Sequence, residues 1–291
     1  MVKILVLGAN GLLGSALVPQ LRMLKFDVVT ASQKINKNSD ININYIDKNS
    51  LENALDKCSP NIIINLVALT NVDQCERDPH TAYLVNVKVV ENICGWIKHN
   101  PDCHLIQIST DHLYDHNTLN TEDDVKLLNY YSLTKYAGEL VALSVPSTII
   151  RTNFFGKSIC SNKFSFSDWI FNSLTNKNHI IAFNDVYFSP ISFKSLGESI
   201  TTVIKNPLCG IYNIGSRDGF SKADFIKEFA NQVNLNSDSV TVGSINDHNL
   251  KAKRPKDMRM NCEKFESKFN TKLPNLKNEI VAIKGDYVHE S

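Results

Sequence analysis

The feature that most constrains this chain is a glycine triplet placed almost at its start. Val2 to Leu7 is a nearly unbroken apolar run, the pattern of a strand buried on both faces of a parallel sheet. It runs straight into Gly8-Ala-Asn-Gly-Leu-Leu-Gly14, after which Ser15 to Leu24 repeats apolar residues at helical spacing. Glycines between a first strand and a first helix allow a tight turn, bring backbone close to a pyrophosphate, and let the helix pack tightly on the strand. The helix start then offers unpaired N–H groups and partial positive charge to phosphate. The spacing is G-x-x-G-x-x-G rather than G-x-G-x-x-G, so its place between strand and helix carries the inference. Gly8, Asn10, Gly11, Leu12, Leu13 and Gly14 become candidate cofactor contacts. A tight turn that binds nothing is the plainer alternative.

Asp27 to Ala31, Ile41 to Ile46, Asn61 to Val67 and His104 to Ser109 read as further strands, with helices over Leu51 to Cys58 and Ala82 to His99. Strands alternating with helices predict an α/β fold, a Rossmann-type doubly wound parallel sheet with right-handed crossovers. After Val145 the pattern turns irregular. Short strands are expected at Ser147 to Arg151, His179 to Phe183 and Gly210 to Ile214, between helices near 165–174, 192–204 and 222–233. We expect residues 1–152 to form the dinucleotide-binding domain, with 185–215 returning to it, and 153–184 and 216–291 to form a smaller C-terminal α/β substrate lobe.

With a formal net charge of +1 and no basic run, the chain has no electrostatic footprint for nucleic acid. No apolar stretch approaches the roughly 20 residues that cross a bilayer, and the first residues read as a strand rather than a signal peptide. The seven cysteines (Cys58, Cys75, Cys94, Cys103, Cys160, Cys209 and Cys262) are odd in number and lack metal-ligand spacing. Reduced thiols of a cytoplasmic protein without a metal are the expectation, and a homodimer is allowed.

Tyr131 and Lys135, in Asn-Tyr-Tyr-Ser-Leu-Thr-Lys, are spaced to share one face of a helix. A tyrosine is a poor acid at neutral pH unless its phenolate is stabilised, and a neighbouring ammonium is expected to lower its pKa while supplying donors for a ribose. Ile108-Ser-Thr-Asp-His-Leu-Tyr114 leaves a buried strand at the carboxyl edge, where open α/β sheets bind ligands. There Thr110 can hydrogen-bond a substrate carbonyl, and Asp111 can orient a hydroxyl or relay a proton. Helix capping is the alternative use of such a cluster. His112 reads as a structural or substrate-contacting neighbour rather than a base. Thr30-Ala-Ser-Gln-Lys34 offers no carboxylate for a ribose, while Ser32 and Lys34 can accept a 2′-phosphate, which favours NADPH (NADP) over NAD.

Together these motifs resemble the extended short-chain dehydrogenases, and among them the dTDP-4-dehydrorhamnose reductase family, over nearly the whole length. Asn65-Leu-Val-Ala-Leu-Thr-Asn-Val-Asp73 is similar to the family segment lining the cofactor, which implicates Val67 and Ala68; Tyr45-Ile-Asp47 resembles the stretch near the adenine, which implicates Asp47. Arg151-Thr152, Ser189-Pro190 and Arg254-Pro255 fall where the family carries its paired signatures. The resemblance implies that Tyr131 donates the proton, Lys135 holds the ribose and tunes the tyrosine, and Thr110 binds the keto oxygen. Asp111 and Phe154 would then lie beside the sugar, with Arg254 a candidate to face the diphosphate of a nucleotide-sugar substrate. It further implies hydride transfer from NADPH to the 4-keto group of a nucleotide-linked 4-keto-6-deoxy sugar, in the making of deoxysugar and polysaccharide precursors. Leu127, Ser132, His112 and Phe154 depart from the family's usual proline, glycine, tyrosine and tryptophan, so the substrate pocket is altered. A second reading is a non-catalytic, NADP-binding regulatory subunit like that of methionine adenosyltransferase. A third is an epimerase or dehydratase that uses tightly held NAD.

Overall fold

The computed structural model describes residues 2–33, 39–160 and 163–288. Its frame is a seven-stranded sheet. In chain order the first six strands are β1 (Lys3–Leu7), β2 (Asp27–Ser32), β3 (Ile41–Asn42), β4 (Ile62–Asn65), β5 (His104–Ile108) and β6 (Ser147–Thr152). Gly210–Ile214 comes back from far downstream to lie beside β6, giving the order Gly210–Ile214, β6, β5, β4, β1, β2, β3 with every pairing parallel. β4 and β5 are buried at every position, as strands covered on both faces must be. The chain moves outward from β1 to β2 on one side and then restarts at β4 on the other. This reversal opens a crevice at the carboxyl ends of β1 and β4, where such sheets take ligands.

Two apolar clusters sandwich the sheet. A third is strongly aromatic, built from Phe155, Phe188, Phe225, Phe229 and Tyr287, and is fed by residues between 155 and 188 and between 223 and 287. Around it run short ribbons: Phe220–Ser221, Tyr187–Phe188 and Asp257–Met258 form one, and Ile180–Phe183 pairs with Val240–Gly243.

Two elements differ from the sequence expectation for local reasons. β3 stops after two residues; the chain bends at 45–47, and Asp47 caps the helix Lys48–Cys58 through Ser50 N (2.7 Å). The helix expected over Ala82 to His99 is realised as Pro79–Tyr83, a π turn at Leu84–Lys88, and Val89–Ile97. The wider turn carries the buried Asn86, which accepts from Leu69 N at 2.8 Å and donates to Leu69 O at 3.2 Å and to Thr134 Oγ1 at 3.0 Å. It thereby ties the loop after β4 to the helix that carries Tyr131. Among the described residues no helix is long and apolar enough to cross a membrane.

Candidate active site

The glycine turn is shaped by contacts only glycine permits at two points. Gly8 adopts φ +79°, and a Cβ there would meet the Leu66 and Val67 backbone at 3.2 Å. At Gly14 a Cβ would come within 2.5 Å of Ala9 O, so the helix Leu12–Met23 rests directly on the turn. That helix has no side-chain cap. Several other helices close their starts with Asp47, Asn71, Asn129, Ser165, Ser192 or Ser221, whereas Glu263–Phe269 and Leu276–Ala282 are likewise uncapped. An uncapped start facing the crevice leaves N–H donors for an anion, so the turn fits the pyrophosphate of a dinucleotide.

Gly8, Gly11, Leu12, Leu13 and Gly14 form one end of a cavity of about 310 Å³, whose walls include Leu66, Ala68, Thr110, Asp111, His112, Tyr131, Lys135 and Phe154. Most residues singled out from sequence thus meet in one crevice. Asn10 is in the turn, with its carbonyl receiving Cys160 Sγ at 3.5 Å. Val67 lies just behind the wall, its N–H bonded to Asn65 Oδ1 (3.1 Å). Ser32 is buried at the end of β2 and bonds Ser39 Oγ at 2.7 Å, whereas Lys34 lies outside the described residues.

Two expected contacts stand elsewhere. Asp47 spends its carboxylate on a helix cap, and from that segment it is Tyr45 whose hydroxyl reaches the glycine turn, accepting from Gly8 N at 3.1 Å. Arg254 is absent from the cavity wall. Its guanidinium pairs with Asp73 (3.0 Å) and donates to Ala252 O (3.1 Å), and its segment borders a neighbouring groove with His248 and Lys256.

Tyr131 and Lys135 lie on the helix Tyr130–Ala142, which starts in a capping box between Asn129 and Ser132. Lys135 Nζ donates to Ile108 O at 2.7 Å, and burial lowers its pKa to about 8, opposed by Glu139. The expected drop in the tyrosine's pKa is reversed. Burial holds the Tyr131 phenol well above its ordinary value, the Asp111 charge adds to this, and a hydrogen bond from Thr110 only partly offsets it. Desolvation prevails here, and the Lys135 ammonium is turned to the Ile108 carbonyl. Thr110 also caps the short turn Asp111–Leu113 through His112 N (3.1 Å), so the capping and site readings of this cluster both hold. Asp111 is buried and pushed up to about 6, against stabilisation by Asn153 Nδ2 at 2.7 Å and by the Lys222 charge. His112 packs edge-on to Tyr131 with ring centroids 5.4 Å apart, and burial lowers its pKa to about 3, which keeps the imidazole neutral.

Behind the wall lies a buried network that the sequence did not announce. Arg151 on β6 pairs with Glu139 (2.6 Å) one turn beyond Lys135, Ser109 donates to the same carboxylate, and Tyr114 accepts from Arg151 Nη1 (2.9 Å) while donating to Asn213 (2.6 Å). It bolts the Tyr131 helix to β5, β6 and the strand Gly210–Ile214. Glu139 and Arg151 meet only once β6 and this helix are packed, so no local motif pairs them. Asn153 and Lys163, both on the cavity wall, were also missed; neither stands in a recognisable spacing.

The model of the family described as RmlD substrate binding domain matches residues 2–288. The chain belongs to this family. A curated relative, the probable low-salt glycan biosynthesis reductase Agl14 of Haloferax volcanii, is 22% identical over 97% of each chain. The dTDP-4-dehydrorhamnose reductase of Escherichia coli K12 is 25% identical over 94% of each. Among solved structures, that of dTDP-4-dehydrorhamnose reductase from Bacillus anthracis in complex with NADP superposes with a TM-score of 0.89 at 22% identity, covering 98% of this chain and all of that one. RmlD-family membership thus accounts for the doubly wound α/β fold, and relatives spanning the same length carry reductase names.

Proposed function

We propose that this RmlD-family chain is an NADPH-dependent reductase that delivers hydride to the 4-keto group of a nucleotide-linked 4-keto-6-deoxy sugar, for polysaccharide or glycan precursors. The observation that carries the reading is the convergence of the glycine turn, Thr110, Tyr131 and Lys135 on one crevice. Gly8, Gly11 and the uncapped start of helix Leu12–Met23 would hold the pyrophosphate, with Ala68 and Lys135 along the nicotinamide ribose and Ser32 toward the 2′-phosphate. Bound NADPH would supply the hydride. Thr110 and Tyr131 would both donate to the keto oxygen. Burial keeps the phenol protonated before hydride arrives; the proton transfer would then need the nascent phenolate to be stabilised, which the Lys135 ammonium would do from the same helix face. Phe154 would give the sugar an apolar face. The aromatic cluster and its ribbons, with residues 153–184 and 216–291, would form the lobe that covers the substrate, while 185–215 contributes a strand to the main sheet.

The test is NADPH oxidation against a panel of dTDP-, UDP- and GDP-linked 4-keto-6-deoxy sugars. Turnover of at least one member is expected. Tyr131→Phe should lower kcat by roughly 10²–10⁴-fold with NADPH affinity nearly unchanged. Wild-type turnover in that variant removes Tyr131 as the acid, and tight NADPH binding without turnover of any panel member favours the regulatory-subunit reading.

A further inference from the structure

Asp111 and Asn153 meet on the wall of the crevice, where neither is needed to bind the cofactor or to deliver the proton. Asp111 follows the carboxyl end of β5, and Asn153 follows β6, the neighbouring strand. The Asn153 amide Nδ2 donates to Asp111 Oδ2 at 2.7 Å, and Thr110 Oγ1 lies 3.4 Å from Asp111 Oδ1. A carboxylate only accepts, so the amide turns its N–H to it and leaves its own oxygen free. Among the described residues Asn153 Oδ1 has no hydrogen-bond partner and is not buried, on a residue that lines the cavity. The backbone around Asn153 is fixed on both sides. Arg151, two residues before, is locked to Glu139, and Ile191 N donates to Asn153 O at 2.9 Å where Phe154–Phe155 pairs with Ile191–Ser192. A polar group held this way has little ordering left to lose when a ligand arrives. Of the groups that stabilise the Asp111 charge against burial, Asn153 acts most strongly, ahead of the Lys222 charge and Thr110.

We propose that Asn153 is a positioning residue and one half of a hydroxyl-reading pair: its amide aims Asp111 at the hydroxyl on the carbon next to the keto group, and its free oxygen accepts a second sugar hydroxyl. The assignment rests on the reductase reading above and specifies what the crevice recognises in the sugar. A keto oxygen held by Thr110 and Tyr131 brings the neighbouring hydroxyl past Thr110, where Asp111 Oδ1 stands. A hydroxyl can donate to the carboxylate and to the amide oxygen alike. A sugar lacking that hydroxyl would leave a buried acceptor unmatched, so the pair selects sugars that keep it. Asp111 must be ionised for this, and its carboxyl titrates at about 6. The titratable groups around it lie elsewhere: Lys135 and Lys222 at about 8, His112 at about 3, and Tyr131 well above its ordinary value.

The experiment follows the Asp111 carboxyl carbon by NMR, without substrate, in wild type, Asn153→Leu and Asn153→Asp. It is paired with the pH dependence of kcat/KM for a panel sugar and its 3-deoxy counterpart. Asn153→Leu removes the donor and should raise the Asp111 titration by roughly one to two pH units, with the acid limb of kcat/KM moving alongside. Asn153→Asp keeps the shape but sets a second carboxyl against the first, so two steps should appear, the upper one above the wild-type value. On the hydroxylated sugar Asn153→Leu should lose roughly ten- to hundredfold in kcat/KM; on the 3-deoxy sugar, already poor in the wild type, it should lose little more. An Asp111 titration unmoved in both variants overturns the positioning role and leaves the reductase reading intact. Equal losses on the two sugars overturn the hydroxyl-reading role. A wild type that reduces no panel sugar, while the variants still shift Asp111, overturns the reductase reading and the sugar contact together but leaves the positioning of Asp111 standing.

Discussion

Asp111 concentrates the tension of the site in one carboxyl group. It is buried, receives Asn153 and Thr110, and faces the Lys222 charge, yet burial prevails and its pKa stands near 6. A folded-state pKa above the unfolded value means that between about pH 4 and 6 the native chain keeps a proton the unfolded chain has released. The stability this group contributes is therefore full at the acidic end and is lost as pH rises through that window. Asp111→Asn lacks the titration. Urea unfolding at pH 4.5 and 7 should show the wild type losing stability relative to Asp111→Asn, by an amount on the order of 2 kcal/mol. A gap between the two proteins that stays constant with pH would mean that Asp111 ionises freely and that burial has been overweighted. At this scale much of the site was legible: Thr110, Asp111, Tyr131 and Lys135 stand in spacings tied to a strand end and a helix face. Asn153 was not, since an asparagine after a buried strand looks ordinary until the chain is folded, and within Tyr45-Ile-Asp47 the sequence singled out Asp47 where the structure brings Tyr45 to the glycine turn. The direction of the Tyr131 shift was misread for a related reason. Sequence shows that an ammonium is near, but not how much water has been removed.

At the scale of elements, the helix Tyr130–Ala142 and the π turn Leu84–Lys88 touch where a side chain would not fit. A Cβ on Gly138 would lie 2.5 Å from Asn86 O. Glycine in an exposed helix usually yields to alanine with a gain of about 0.5–1 kcal/mol. Here the sign should invert. Gly138→Ala is expected to cost about 1–3 kcal/mol, the range of overpacking, and to lower kcat/KM because Asn86 would be pushed away from Leu69 and Thr134. Thermal melts and steady-state kinetics check both; a stabilised, fully active variant would show that the two helices separate freely. The strands β1 and β4 could be read in advance because burial on both faces leaves a nearly continuous apolar signature. The ribbons Phe220–Ser221 and Asp257–Met258 could not, since two residues show no period. The π turn was hidden because it preserves the apolar spacing of the helix it interrupts.

For the molecule as a whole, the path of the chain matters as much as its layers. The mixed C-terminal sequence was read as irregular, with 185–215 expected to return to the first domain; within that stretch the strand Gly210–Ile214 lies in the main sheet and pairs with Thr148–Thr152. Arg151 and Tyr114 depend on this closure, through Asn213. During synthesis, β6 therefore emerges about 60 residues before the strand that covers it, a wait of roughly 3–12 s at ordinary translation rates. Throughout that interval the nascent sheet presents a row of unpaired N–H and C=O groups, a template for strand addition by any neighbouring chain. A fragment ending at residue 152 makes the exposure permanent. It is expected to self-associate on size-exclusion chromatography under conditions where the full chain gives a single discrete species. A fragment that stays monomeric and folded would show that β6 tolerates an open edge, and that the returning strand serves Arg151 and the site rather than solubility.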